Sequence, residues 1–373
     1  MSKPQHLYLR LHTPRLWTAA GGDHLALWAA ARAGMGTQQF SDHLAALMAG
    51  GDHPRGRIRV SPALEGMPDS RDRVRRMLAH ALQDPLPADC TVLWPCRPDT
   101  LEHPWLAPER IWDWMGKAAL RHPRTRLQIV LLEGSAVGLM DRALAALHQE
   151  PDHHWVLGCV DSLLIPEMLS ALPAAGRTPA WDEADGLVPG EAAIFMPVSL
   201  SAGGHQVRAW DTCPEPRDVD PEGGEFLAWA MALHSSLEQA SLDAFALDGV
   251  VLPGNPDRHA AMEWYGCHAR VWPLRNTHPP EGSTGPEHPI PDGLLPPIMD
   301  LGAVLGHAGA AQYLLQLALG MGWMEAARRL AARGCGGPLR SVAILDRPLT
   351  EERGVAILEV TRCADPAHGQ PES

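Results

Sequence analysis

Short runs of apolar residues alternate along this chain with longer segments of helical periodicity, and this alternation restricts the fold more than any other feature. The clearest strand-like runs are RLQIVLL at 126–132, HWVLGCV at 154–160 and SVAILD at 341–346. The intervening segments include 303–332, which is predicted to be one long helical region broken by glycines. Strands that alternate with helices are typical of an α/β protein whose elements pack in layers.

Both halves of the chain end on a strand that follows a long helical stretch. In the first half this strand is predicted at 192–196, and in the second half at 354–361. The repetition predicts an internal duplication, with an N-terminal half at 1–200 and a C-terminal half at 201–373. A length of 373 residues is enough for two closely packed halves of this kind.

The composition excludes several classes of partner. The net charge is −13, whereas nucleic acids and anionic membranes bind basic surfaces, so neither is an expected partner. The seven cysteines are scattered without CxxC spacing, which favours reduced thiols in a cytoplasmic protein. The N-terminal segment lacks the continuous apolar region of a secretory signal, and no apolar run is long enough to span a bilayer. We therefore expect a cytoplasmic protein.

Four segments stand in an order that matches one known family. They are VLLEGSAVGLMDRALAAL, then VLGCVDSLL, then DGLVPGEAAIFM at 185–196, and finally LGHAGAAQYLLQLALGM at 305–321. In this combination and order the chain resembles the thiolase-fold β-ketoacyl synthases. The resemblance implies a thiolase-like layered αβαβα fold built from two pseudo-equivalent halves. It spans roughly residues 70–361, and the most specific signal is VDSLL followed at its normal distance by DGLVPGEAA.

A narrower resemblance rests on NPDRHAAMEW at 255–264. This segment is similar to the N-G-x-R-x-R-A-x-E-W segment of a divergent group of ketosynthase-like proteins. Members of that group occur beside effectors and adaptor proteins of bacterial type VI secretion. The resemblance therefore implies an accessory role in secretion, which rests on family association alone.

The residues needed for condensation are largely missing. Ketosynthases use a cysteine nucleophile at a helix N-terminus, where the helix dipole favours the thiolate, together with two side chains that stabilise the developing oxyanion. The family spacing places the nucleophile within 133–137, where Ser135 is the only side chain able to act as a nucleophile. The first catalytic histidine is replaced by Leu252 or Pro253, and the second corresponds to His307, in a motif one residue shorter than usual. We therefore predict a pseudoenzyme in which Ser135 and His307 are vestigial.

Four residues are candidates for partner binding. Arg258, Glu263 and Trp264 lie in the secretion-associated segment, and Trp112 lies in a tryptophan-rich stretch. Tryptophan is enriched at protein interfaces, but core packing explains these positions as well, and the alternative for Arg258 and Glu263 is a structural ion pair. Asp161 and Glu191 are interpreted as structural, the first capping a turn and the second tying a loop to the core.

No cofactor and no metal are expected, since no ligand pair has H-x₃-H or C-x₂-C spacing. Three functions stay open. The first is a non-catalytic accessory protein, an adaptor or chaperone for a type VI secretion effector. The second is an acyl-thioester condensing or acyl-transfer enzyme that uses Ser135 or a displaced cysteine with His307. The third is an inactive subunit paired with an active ketosynthase. Because the family dimerises through its first-half sheet, residues 126–132 are expected at a homodimer or heterodimer interface.

Overall fold

The computed structural model describes residues 8–48, 57–66, 70–87, 89–96, 113, 127–133, 137–172, 186–215, 226–254, 258–272, 295–348 and 352–361. The strands within these residues are β1 (Tyr8–Leu11), β2 (Arg15–Trp17), β3 (Gln39–Ser41), β4 (Ile58–Val60), β5 (Cys90–Cys96), β6 (Leu127–Glu133), β7 (His154–Ser162), β8 (Glu191–Ser201), β9 (Gly204–Pro214), β10 (Gly249–Leu252), β11 (Ile298–Asp300), β12 (Ser341–Asp346) and β13 (Glu352–Thr361).

The helices alternate with these strands, as the apolar pattern predicts for an α/β protein. They are α1 (His24–Arg32), α2 (Asp42–Met48), α3 (Ser70–Ala81), α4 (Gly138–Gln149), α5 (Pro166–Ala171), α6 (Ala228–Ala240), α7 (Arg258–Val271), α8 (Gly302–Leu305) and α9 (Gln312–Ala331). Two short 3₁₀ turns cover Ala244–Ala246 and Gly309–Ala311. No helix in the described ranges is both long enough and apolar enough to cross a membrane.

One large sheet organises the molecule. Its eleven strands include ten in the order β11-β10-β12-β13-β9-β1-β8-β7-β5-β6, with β2 paired to β8 beside this path. β1 is antiparallel to both β8 and β9 and so joins the two sides of the sheet. β3 and β4 form a separate antiparallel pair.

The strand order repeats. From its outer edge inward, one side consists of β6, β5, β7, β8 and β1, which are the third, second, fourth, fifth and first strands of that side in chain order. The other side, from its outer edge inward, consists of β11, β10, β12, β13 and β9, which are again the third, second, fourth, fifth and first strands of their series. In each series the first three strands of this order are parallel, and the last two pair antiparallel to their neighbours. The boundary between 200 and 201 stays a prediction, and it lies at the end of β8.

The second strand series is covered on both faces, and the alternation of β12 explains how. Ala343 and Leu345 belong to a core cluster with residues of α6 and α7, whereas Val342 and Ile344 belong to a larger cluster with residues of α9. Successive side chains of a strand point to opposite faces, so a strand buried on both faces reads as continuously apolar. This places α9 on the inner face of the sheet, with fourteen of its residues buried.

Candidate functional site

His307 lies in the break between α8 and the 3₁₀ turn at Gly309–Ala311. Its backbone is fixed by the loop before β8: the His307 N–H donates to the Val188 carbonyl at 2.8 Å, and the Gly190 N–H donates to the His307 carbonyl at 2.9 Å. The residue is 3% exposed. The VPGEAA and LGHAGAA segments, recognised separately in the sequence, are therefore in direct contact.

Both ring nitrogens of His307 face backbone groups. Nδ1 accepts a hydrogen bond from the Gly309 N–H at 3.0 Å, so the ring proton is assigned to Nε2. Nε2 in turn faces the Arg347 carbonyl oxygen at 3.4 Å. The imidazole thus bridges a tight turn and the end of β12.

Asp161 connects β7 to the same turn. Its Oδ1 accepts from the Ser162 N–H at 2.8 Å, and its Oδ2 accepts from the Ala310 N–H at 2.8 Å. The first of these bonds stays within the last two residues of β7, and the turn that follows β7 is capped instead by the Ser162 hydroxyl, which accepts from the Leu164 N–H at 3.3 Å. The second bond extends to the turn beside His307, which the sequence did not indicate.

Gly309→Ala is expected to lower the free energy of unfolding by about 2–4 kcal/mol. Gly309 has φ +61°, and a Cβ there would stand 2.0 Å from Asp161 Oδ2, an atom already held by a backbone hydrogen bond. Gly334→Ala is the matched control, because Gly334 has φ +78° with no atom within 4 Å of its added Cβ. In urea denaturation, the loss in free energy of unfolding should be larger for Gly309→Ala than for Gly334→Ala by more than about 1 kcal/mol. Equal losses would mean that the turn accommodates the added methyl group without destabilisation.

Glu191 ties the start of β8 to α3. Its carboxylate accepts from Arg73 Nε at 2.8 Å, from the Ser162 hydroxyl at 2.8 Å and from the Ala63 N–H at 2.9 Å, and it also pairs with Arg73 Nη2. Glu191 and Arg73 are both buried. These contacts agree with the expected structural role and leave Glu191 no open side toward a substrate.

The end of β10 is occupied by Leu252 and Pro253, where the family resemblance places a histidine. The Pro253 carbonyl accepts from Gln312 Nε2 at 2.7 Å, and Gln312 Oε1 accepts from the Ala308 N–H at 2.8 Å. The Gln312 amide therefore links the β10 end to the residue after His307. It is 2% exposed, so this link is sealed from solvent.

Ser135 and Trp112 lie outside the residues that the structure describes. The described chain resumes at Val137, and α4 begins at Gly138 with no side-chain hydrogen bond at its N-cap. A cleft of about 470 Å³ opens beside this helix start, with Asp141, Arg208 and Asp211 among its lining residues. No group of three or more His, Cys, Asp or Glu side chains in the described part of the chain could hold a metal ion.

Glu263 is an internal anion. It is 2% exposed, and its carboxylate accepts from Arg347 Nε at 2.9 Å and from Arg353 Nε at 2.9 Å and Nη2 at 2.7 Å. His259 Nδ1 lies 2.9 Å from Glu263 Oε1. Burial by itself would raise the pKa of the Glu263 carboxyl, but hydrogen bonds from His259 and Arg353 and the charges of both arginines hold it well below its usual range.

The other residues of this segment have different surroundings. Arg258 is the first residue of α7, and its side chain is not among those described. Trp264 is half-buried and stacks at an angle with His268 and Trp272, with ring centroids 5.8 and 6.1 Å away. Glu263 pairs with Arg347, which directly follows β12, and with Arg353 of β13. Its carboxylate therefore joins α7 to this strand pair, and the Arg347 carbonyl faces His307.

No protein-family model and no curated protein matches the chain. Solved structures do match. A ketosynthase/chain length factor of ishigamide synthesis is 16% identical with a TM-score of 0.63, covering 95% of this chain and 99% of its own. The AntDE:AntF complex, an acyl-carrier protein with its type II polyketide ketosynthase, is 11% identical with a TM-score of 0.66 over 96% and 100%. The Streptomyces albus oxazolomycin ketosynthase domain is 13% identical with a TM-score of 0.64 over 99% and 76%.

The fold is thiolase-like. The likeness to ketosynthases extends over nearly the whole chain, so the predicted fold class is confirmed. At 16% identity or less it establishes the fold alone. The chemistry of this thiolase-like chain must be argued from its own side chains.

Proposed function

We propose that this protein is a non-catalytic thiolase-fold protein that acts by binding another protein. The observation that carries the proposal is the state of the two positions where condensing enzymes place histidines. At one of them His307 is buried with both ring nitrogens directed at backbone groups, and at the other Leu252 and Pro253 stand with the Pro253 carbonyl bonded to Gln312.

Condensation needs groups that this arrangement does not supply. An acyl-enzyme forms only on a nucleophile, and the sequence has no cysteine between Cys96 and Cys159. Oxyanion stabilisation needs donors aimed at an open position beside the reacting carbonyl. The side chains of His307 and Gln312 are instead committed to backbone atoms, which favours a structural use of the former active-site region.

No covalent acyl adduct is expected when the full chain is incubated with an acyl-CoA or an acylated carrier protein. Intact-protein mass spectrometry would measure this, with an active ketosynthase as the positive control. His307→Ala should leave the result unchanged. An acyl group mapped to Ser135, or consumption of malonyl and acyl thioesters that His307→Ala abolishes, would contradict the proposal and favour the acyl-transfer alternative.

The edge strand β6 supports a homodimer or a heterodimer. It pairs only with β5 among the described strands, and its solvent face carries Val130, which is 38% exposed. A strand at the edge of a sheet is a template for pairing with another chain. A partner strand added at β6, from a second copy or from an active ketosynthase, would extend the sheet. The ketosynthase/chain length factor neighbour makes the heterodimer a specific alternative.

Val130→Lys is expected to convert a dimer into a monomer. A lysine would place a charge in the apolar centre of the β6 interface, where it has no partner and must be desolvated. Size-exclusion chromatography with light scattering would measure the mass of each form. Met231→Lys is the matched control, since Met231 is 57% exposed on α6 and away from β6. A wild-type protein that is monomeric at all concentrations would contradict the prediction of a homodimer at this edge.

The partner itself is proposed to be an effector or adaptor of a type VI secretion system. The support is the similarity of NPDRHAAMEW to the corresponding segment of secretion-associated ketosynthase-like proteins. Affinity purification of the tagged full chain from its native host would test this. Recovery of a secretion effector or of a secretion-system component supports the adaptor role, whereas recovery of an active ketosynthase instead supports the inactive-subunit alternative.

A further inference from the structure

Three buried polar atoms of the central core have no hydrogen-bond partner among the described residues. They are the Tyr313 hydroxyl, Gln316 Oε1 and Asp346 Oδ2. Their side chains belong to α9 and to the last residue of β12. Buried polar groups are nearly always paired in native proteins, and leaving one unpaired costs about 1–3 kcal/mol. Three such atoms in one region therefore require a physical explanation.

The register of α9 on β12 brings the side chains of Gln316 and Asp346 to the same end of the strand. Gly320 of α9 lies against Ile344, because a Cβ at Gly320 would stand 2.9 Å from Ile344 Cδ1. Asp346 points to the same face of β12 as Ile344, about 6.6 Å further along the strand. Gln316 lies one turn before Gly320, about 6 Å back along the helix axis, on the same side of α9. Helix and strand therefore run so that Gln316 stands opposite the end of β12.

Two further contacts fix this neighbourhood. Gln316 Nε2 donates to the Leu345 carbonyl, so the Gln316 amide lies against the residue that precedes Asp346. Tyr313 precedes Gln316 by three residues and shares its helix face. The Asp346 charge acts on Tyr313, since burial and that charge raise the pKa of the hydroxyl well above its ordinary value. Tyr313 therefore keeps its proton and remains a donor.

We propose that Tyr313, Gln316 and Asp346 form an internal binding site for one water molecule between α9 and β12. The chemistry of the three groups selects water among small species. Tyr313 offers a donor and Gln316 offers an acceptor, so the bound species must both accept and donate hydrogen bonds. An ammonium ion cannot accept from Tyr313, and a halide ion cannot donate to Gln316. Internal waters typically make about three hydrogen bonds to such groups.

Water also accommodates both protonation states of Asp346. Burial raises the pKa of this carboxyl to about 7, a rise to which Glu352 adds and which Arg353 and the Arg347 backbone N–H oppose. Against a carboxylate, the water accepts from Tyr313 and donates to Gln316 and Asp346. Against a carboxylic acid, it accepts from Tyr313 and Asp346 and donates to Gln316. In either case each of the three groups has a hydrogen bond to the water, and only the orientation of the water changes.

Crystal structures of the full chain on each side of the Asp346 pKa would test the site. We expect one ordered water within hydrogen-bonding distance of the Tyr313 hydroxyl, Gln316 Oε1 and an Asp346 carboxylate oxygen at both pH values. A direct bond from the Tyr313 hydroxyl to Asp346 or Gln316 would overturn the proposal. The proposal would also be overturned if a residue from outside the described part of the chain occupied the position of the water.

Two variants and one control test the site at a single pH. Tyr313→Phe removes the donor, so the water should be lost or displaced, whereas Tyr265→Phe, at a residue that is 67% exposed, should leave it in place. Asp346→Asn should retain the water, because an amide offers both an acceptor and a donor. This isostere covers the case in which Tyr313→Phe does not fold. Absence of the water from both the wild type and Asp346→Asn would contradict the assignment.

Discussion

Replacing Glu263 by alanine is expected to lower the free energy of unfolding by about 3–5 kcal/mol, because it removes one member of a buried, hydrogen-bonded ion cluster. Arg347 and Arg353 are 3% and 4% exposed, and both donate to the Glu263 carboxylate. Urea denaturation monitored by tryptophan fluorescence would measure the loss. Asp42→Ala is the control, since the exposed pair of Asp42 with Arg57 should contribute less than about 1 kcal/mol.

The pH dependence of this interaction has a definite sign. The pKa of Glu263 is lowered on folding, so its contribution is present at neutral pH and is lost only as the pH falls toward the strongly acidic range. Glu263→Gln keeps the shape of the side chain but removes the charge, and it should therefore also destabilise at pH 7. A loss for Glu263→Ala no larger than that of Asp42→Ala would show that the two arginines reach solvent or another anion.

Asp346→Asn is expected to stabilise the protein above pH 7. The pKa of Asp346 is about 7 in the folded chain against an ordinary value of 3.8, so the folded state holds a proton that the unfolded state has released between these values. Stability from this group is therefore full below pH 3.8 and declines as the pH rises toward 7. Over this range the free energy of unfolding falls by at most about 1.4 kcal/mol per pH unit. The asparagine variant lacks this pH-dependent decline because its amide does not titrate.

Stability curves of the two proteins measured across this pH range would test the expectation. The wild type should lose stability relative to Asp346→Asn with each step toward pH 7, after which the difference should become constant. Asp152→Asn is a suitable control because Asp152 is exposed, and its curve should follow the wild type. Parallel curves for the wild type and Asp346→Asn would mean that the Asp346 carboxyl titrates near its ordinary value in the folded protein.

The buried strands were the part of the fold most accessible from sequence. The predicted strand at 341–346 coincides with β12, because both faces of this strand are covered and its sequence is continuously apolar. β9 was not predicted. Its sequence GHQVRAWDTCP mixes buried and partly exposed positions, and the strand is stabilised by β13, which is paired with it from more than a hundred residues away. Local pattern carries little information about such a partner.

The helical region predicted at 303–332 is broken at a glycine, as the sequence analysis expects. The helical stretch is interrupted at 306–308, where Gly306 has φ +64° and its absent side chain makes room for the Val188 carbonyl. Gly320 and Gly322, by contrast, lie within α9 without breaking it. Glycine in a helix marks a close approach as readily as an end, and only the tertiary contact distinguishes the two cases.

The site could be predicted in part. His307 was identified from its motif, and the structure adds that its ring faces backbone atoms. The partners of Glu263 were not predicted, because Arg347 and Arg353 lie 84 and 90 positions away in the sequence. Asp346 gave no signal either, since its environment depends on how α9 is registered against β12. The roles of Ser135, Trp112, Arg258 and Trp264 stay predictions.

The position of β13 in the sheet bears on how the protein is made. β13 lies between β9 and β12 and is the last strand of the described chain, so β9 has no neighbour on that side until residues 352–361 have been synthesised. Until then, the edges of β9 and β12 that β13 covers in the folded sheet are open to incorrect pairing. This half of the sheet can close only once residues 352–361 are available, and not by sequential folding of the preceding segments.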